Sequence, residues 1–318
     1  MLLQWQSCRF RPGGGDAAAA GLYRRDVIPV GLVGAGARAA EVYAPALETC
    51  PEVDFVAVWA RAAEPVRRLA ERHGAVPCAR FEDLLQRCSA VVFAVPPPVQ
   101  VEYATSAIRH GCAVLLEKPI GGDVAGAEQL TSVALREKVP TTVALAWRHT
   151  DDVRRFLATD APAVDPVGGV GRVLSGVPDG VASAPPWPRA RGVLRTYAAD
   201  LFDLLEAALG PVVGMHAHGD PRAWVGMSLD HSVGRFSEAS LYGGRTRGTD
   251  VAFVEVSGPR GTADVEALGG LGPSAYQRMV TEFAGTVADG RSHGLGIEHG
   301  LHLQRLVESA ETDLILHG

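Results

Sequence analysis

Three groups of residues in this chain have types and spacings that could do chemistry. The first is Glu117-Lys118-Pro119, which directly follows the apolar run Ala113–Leu116. A lysine at the carboxyl edge of a buried strand can meet a ligand, and the proline after it fixes the local backbone and is free to be cis. Partial desolvation would bring such an ammonium towards a range useful for proton transfer. The second group is Thr196, Asp200 and Asp203, spaced by four and then three residues, with Tyr197 beside them. That spacing places the three side chains on one face of a helix. The third is Gly34-Ala35-Gly36-Ala37-Arg38-Ala39, which follows the apolar run Val27–Val33. It fits the G-x-G-x-x-G/A form of a dinucleotide-binding turn. Gly34 permits the tight turn, Gly36 lets a pyrophosphate approach the backbone, and Ala39 lets the following helix lie close to the strand.

Regular elements must position these groups. Strands are predicted at Val27–Val33, Asp54–Trp59, Ala90–Val95, Ala113–Leu116 and Thr141–Ala146, with helices between them at Ala37–Thr49, Glu64–His73, Phe81–Cys88, Val99–His110 and Val124–Lys138. Pro45 should kink or shorten the first helix, Gly74 should end the second, and Pro96-Pro97-Pro98 should stop the third strand. This alternation is that of a doubly wound parallel sheet, an α/β Rossmann fold, whose ligands bind at the carboxyl ends of the strands. Beyond Trp147 the texture changes. Ala161–Ala190 is rich in Gly, Pro and Ser and is expected to hold loops and short strands at best. Gly192–Leu209 reads as one amphipathic helix stopped by Gly210-Pro211. Val212–Ala217, Ala223–Leu229, Arg235–Tyr242 and Val251–Val256 alternate like antiparallel strands, and helices near Tyr276–Asp289 and Glu298–Leu316 finish the chain. The expected organisation is a loose extension over residues 1–25, a dinucleotide-binding domain over residues 26–147, and an α+β domain on a mostly antiparallel open sheet over residues 148–318.

Composition narrows the function classes. The chain has 318 residues, 47% of them hydrophobic, enough for a sizeable core. The formal net charge of −6 is spread among interspersed acids and bases, so neither a nucleic-acid stripe nor a membrane-binding face stands out. Five scattered cysteines without a C-x-x-C favour reduced thiols. With no long apolar segment, a cytoplasmic location is expected. His216, His218 and Asp220 share one strand face but have no further ligand in view, and His299 and His302 read as an ordinary helix face. No metal site is expected.

The end of the second strand informs the cofactor. NAD-selective Rossmann domains carry a carboxylate there for the adenosine ribose hydroxyls. Here Ala60 holds that position and Arg61 follows. Losing the carboxylate removes repulsion against a 2′-phosphate, and a guanidinium can pair with it, so NADP(H) is favoured over NAD(H).

Together, Gly34–Arg38, the Val95-Pro96-Pro97 strand exit, Glu117-Lys118-Pro119 and Trp147-Arg148 followed by Val153-Arg154-Arg155 resemble the glucose–fructose oxidoreductase/inositol dehydrogenase (Gfo/Idh/MocA) family. Gly192–Val212 resembles its active-site helix and Phe283–Glu308 its closing segment. The resemblance implies a pyridine-nucleotide oxidoreductase with cofactor contacts at Gly34, Gly36, Ala37, Arg38, Arg61, Val95, Pro96, Glu117, Lys118 and Arg148. Lys118 corresponds to the motif lysine that orients substrate and assists proton transfer. The substrate would be a small polar molecule, such as a cyclitol or keto-sugar of secondary metabolism, touched by Lys118, Thr196, Asp200 and Asp203. A homodimer or higher homo-oligomer built on the open sheet is implied too.

One departure stands out. The family's active-site helix carries Asp, then His, then Asp, where this chain has Thr196, Asp200 and Asp203. Gln100 likewise replaces a histidine common after the third strand. An aspartate with an ordinary pKa of about 3.9 is a poor proton donor at neutral pH. Three readings stay open: Lys118, alone or with Tyr197, moves the proton of a keto–hydroxyl interconversion; the substrate is an imine or conjugated system; or the cofactor is held without turnover. Asp200 could also serve as a partner that holds Lys118 or Arg148 in place.

Overall fold

The computed structural model describes residues 27–176, 186–221, 223–244 and 250–317. The expected extension over residues 1–25 lies outside them, as does Cys8, while Cys50, Cys78, Cys88 and Cys112 are free thiols.

The described residues open with β1 (Ile28–Val33), a π-helical turn (Ala39–Tyr43), α1 (Ala44–Thr49), β2 (Val53–Trp59), α2 (Ala63–His73), β3 (Val76–Pro77), α3 (Phe81–Leu85) and β4 (Ala90–Phe93). It continues through α4 (Pro97–Arg109), β5 (Ala113–Leu116), α5 (Val124–Glu137) and β6 (Thr141–Val143). These strands form one parallel sheet in the order β3-β2-β1-β4-β5-β6. The order reverses between β1 and β4, which opens a ligand crevice at their carboxyl ends. The strands read as near-continuous apolar runs because helices cover both faces of the sheet: β4 and β5 are buried at every residue.

Punctuation works locally as the residues dictate. Pro45 stands in the first turn of α1, where its missing N–H costs nothing, and the turn before it loosens into π geometry. Gly74 ends α2 in the left-handed region at φ 68°. Pro96–Pro98 do more than stop β4, since Pro97 and Pro98 form the first turn of α4.

The second half begins with α6 (Asp151–Arg155) and α7 (Ala161–Val164), then β7 (Gly168–Gly176), α8 (Pro186–Leu209), β8 (Val212–Gly219), β9 (Trp224–His231) and β10 (Phe236–Gly244). It ends with β11 (Val251–Gly258), β12 (Gly261–Glu266), α9 (Pro273–Asp289) and α10 (Ile297–His317). The sheet order is β12-β11-β7-β10-β9-β8, antiparallel except that β7 and β10 run parallel. The reading of Ala161–Ala190 as loops and short strands is corrected here: nine of those residues form β7, central in the sheet. Its glycines hid it. A Cβ on Gly171 would lie 2.8 Å from Leu201 Cδ1, so the bare backbone is what lets α8 lie against the strand. Gly192 breaks α8 at φ 71°, close to where the sequence places the helix start.

Among the described residues no helix is long and apolar enough to cross a membrane, and no group of three or more His, Cys, Asp or Glu could hold a metal ion. His216 lies 2.8 Å from Asp313.

Candidate active site at the carboxyl edge of the parallel sheet

Gly34 turns at φ 122°, and a Cβ there would collide with the Ala94 carbonyl oxygen at 2.4 Å, so β1 and β4 diverge over a residue that only glycine satisfies. Gly36 has open space where a side chain would be, and Ala39 is wholly buried against the sheet. This cradle fits a pyrophosphate. Ala37 and Arg38 begin the helical turn, Val95 and Pro96 close the opposite side of the switch point, and Arg61 is exposed just past β2.

Arg38 reaches from the glycine turn to the end of β5. Its guanidinium pairs with Glu117 and lies over the rings of Tyr43 and Tyr276. Tyr43 donates to the same carboxylate at 2.6 Å. Burial disfavours the Arg38 charge, but Glu117 outweighs it and the net effect is to raise the pKa. For Tyr43, burial first and Glu117 second push the phenol up. Neither tyrosine is singled out by any sequence motif.

Gln100 is fully buried and holds the motif loop through its backbone. Its Oε1 accepts from the Glu117 N–H at 2.8 Å, and its Nε2 donates to the carbonyls of Glu117 at 2.9 Å and Ile120 at 3.2 Å. The Lys118–Pro119 peptide is cis.

Lys118 turns towards α8. Its Nζ lies 2.5 Å from Asp200 Oδ2 and donates to the Thr196 carbonyl at 2.6 Å, with the Tyr197 ring centroid 5.9 Å away. Thr196 spends its hydroxyl on Gly192 one turn back, at 2.9 Å. Burial pushes the Asp200 carboxyl above the usual carboxylate range, and the Lys118 ammonium pulls it back only in part.

Asp203 and Arg148 form a neighbouring cluster. Arg148 donates to Asp203 at 2.9 Å, and His299 meets the same oxygen at 2.7 Å. One turn further along both helices, His302 meets Glu206 at 2.8 Å. The sequence reading of His299 and His302 as an ordinary helix face misses this pairing, because the partner acids lie 96 residues away and only α8–α10 docking joins them.

Residues 28–145 match the GFO_IDH_MocA family, an oxidoreductase family with an NAD-binding Rossmann fold. The match covers the parallel-sheet half of the chain, from β1 to just past β6. A curated relative, dTDP-3,4-didehydro-2,6-dideoxy-alpha-D-glucose 3-reductase of Actinomadura kijaniata, is 35% identical over 109 residues. That match covers 34% of this chain and 33% of the relative, so the chain spans about a third of the length of the relative it matches. Among solved structures, GenD2 from gentamicin A biosynthesis in complex with NAD superposes with a TM-score of 0.81 at 20% identity, over 94% of this chain and 97% of that one. The scyllo-inositol dehydrogenase of Lactobacillus casei, with bound NAD(H) and scyllo-inositol, gives a TM-score of 0.78 at 16% identity, over 92% and 98%. At these identities the two structures share their fold with this chain, in both halves.

Proposed function

We propose that this chain is an NAD(P)-dependent oxidoreductase that interconverts a secondary hydroxyl and a keto group on a small polyol, a cyclitol or keto-sugar. The observation that carries the reading is Lys118, held at the carboxyl edge of the parallel sheet by Asp200 and the Thr196 carbonyl, next to the glycine cradle. A nicotinamide cofactor bound there supplies the hydride exchange. The Gly34–Arg38 turn with Val95 and Pro96 would hold its phosphates and nicotinamide side, and Arg61 a 2′-phosphate, which favours NADP(H). Lys118 orients the substrate oxygen and Tyr197 shares its proton. Asp200 is the anion that orients Lys118, while Asp203 with Arg148 keeps α8 in position. The sugar reductase and the cyclitol dehydrogenase among the similar proteins support this substrate class.

A reading as a cofactor-holding protein without turnover draws on the same ion pair, since an ammonium committed to Asp200 has less to offer a substrate. Absorbance at 340 nm separates the two. Purified protein with NADP⁺ or NAD⁺ should turn over at least one of myo-inositol, scyllo-inositol and glucose, and Lys118→Ala should not. Cofactor binding with no turnover of any of the three would favour the second reading.

A further inference from the structure

Tyr197 is half-buried on the site side of α8, and its hydroxyl lies 2.7 Å from Ser175 Oγ on β7. Ser175 is 4% exposed and donates to Asp250 Oδ2 at 3.0 Å. The sheet sets this up: β11 runs antiparallel to β7 with Val251 opposite Leu174, so Asp250, one residue earlier and exposed, comes alongside Ser175. The three side chains come from α8, β7 and the residue just before β11, and lead from the candidate site to the surface.

Proton counting fixes the direction. A hydroxyl has one proton, and an ionised carboxylate only accepts. Ser175 gives its proton to Asp250, so it must accept from Tyr197. Tyr197 therefore donates to Ser175 and keeps lone pairs that can accept from a substrate hydroxyl. Lys118 Nζ, near the same ring, is placed to hold that substrate oxygen.

We propose that Tyr197, Ser175 and Asp250 form a proton relay that carries the hydroxyl proton of a polyol substrate out to solvent. The proposal rests on the oxidoreductase reading above. As the carbinol C–H bond breaks and its hydride passes to the oxidised nicotinamide, the C=O bond forms and the substrate O–H bond breaks. The released proton bonds to the Tyr197 oxygen, the Tyr197 proton moves to Ser175, and the Ser175 proton moves to Asp250 and on to water. Reduction runs the same path inward, drawing one proton from solvent.

The test is single-turnover oxidation of myo-inositol and scyllo-inositol by the wild type, Ser175→Ala, Ser175→Thr and Asp250→Asn, in mixtures of H₂O and D₂O. Ser175→Ala should slow hydride transfer by about 100-fold, the low end for a positioned proton-transfer group. Substrate and cofactor affinities should stay within about two-fold, because no ligand contact is lost. Ser175→Thr, which keeps the hydroxyl, should restore most of the rate, and Asp250→Asn should fall between. The rate should curve with deuterium fraction in the wild type, several protons moving together, and become linear in Ser175→Ala. A wild-type rate in Ser175→Ala, or a linear dependence in the wild type, overturns the relay and leaves the oxidoreductase reading intact. Failure of the wild type to oxidise either polyol overturns the relay as proposed here. The oxidoreductase reading itself falls only if all three substrates of the absorbance assay also fail.

Discussion

Lys118 Nζ and Asp200 Oδ2 stand 2.5 Å apart, with Asp200 almost wholly buried. A lysine beside a histidine can lend or take a proton through it. Beside a buried carboxylate it becomes half of an ion pair whose geometry is fixed. The proposed reading makes Asp200 an orienting partner, and the burial that raises its pKa is offset in part by the lysine it holds.

Lys118→Ala should lower turnover by about 100-fold or more while leaving cofactor affinity within a few-fold. Asp200→Asn should also lower turnover yet leave the pH optimum in place. Steady-state kinetics against pH decide the matter. If Asp200→Asn erases one limb of the profile, Asp200 is the acid; if it changes nothing, Asp200 has no part in the reaction.

Arg61 is exposed at the end of β2, and the residue before it is Ala60 in place of a carboxylate. A charge-assisted contact of about 1.5–3 kcal/mol predicts that NADPH binds roughly 10- to 150-fold more tightly than NADH. Fluorescence titration measures both affinities. Equal values, or NADPH binding untouched by Arg61→Ala, would show that the arginine is a solvated surface charge.

Gln100 satisfies three backbone groups around the Glu117–Ile120 turn from a fully buried position. Gln100→Leu fills similar volume but strands an N–H and two carbonyls. The loss in unfolding free energy should be at least about 1–3 kcal/mol, the cost of a single buried unsatisfied group. Urea unfolding reads it, and an unchanged midpoint would mean that water replaces the amide.

Glu282 lies 3.2 Å from His149, 3.3 Å from His293 and 2.6 Å from Arg154. Close approach of the two histidines, outweighing the opposing effect of burial, holds its carboxyl well below the usual range. A depressed folded-state pKa gives stability that is present above the unfolded value of about 4.3 and lost as pH falls through the folded one. Glu282→Gln should therefore cost stability at pH 5 and above, and the gap from wild type should close as the pH drops below about 4. Thermal unfolding across that range checks the sign; a gap that widens in acid would refute it.

The first half of the fold was legible because its signals are local. Apolar runs buried on both faces and glycine at a positive φ each act within a few residues, so Gly34, Gly74 and the Ala113–Leu116 strand could be placed from sequence, whereas Pro45, expected to kink or shorten its helix, stands in the first turn of α1. The spacing of Thr196, Asp200 and Asp203 likewise fixed their shared helical face. Tertiary structure decided which partner each would take. β7 escaped because its glycines are spaced for the approach of Leu201, a contact that exists only once α8 docks. The hold of Gln100 on the Glu117 and Ile120 backbone likewise appears only once the chain is packed. Asp200 could have paired with Lys118 or Arg148, and the helix phase gave the lysine to Asp200 and the arginine to Asp203. Sequence supplies which groups can bond; the bonds themselves depend on distances between segments 17 to 96 residues apart, which only the packed chain sets.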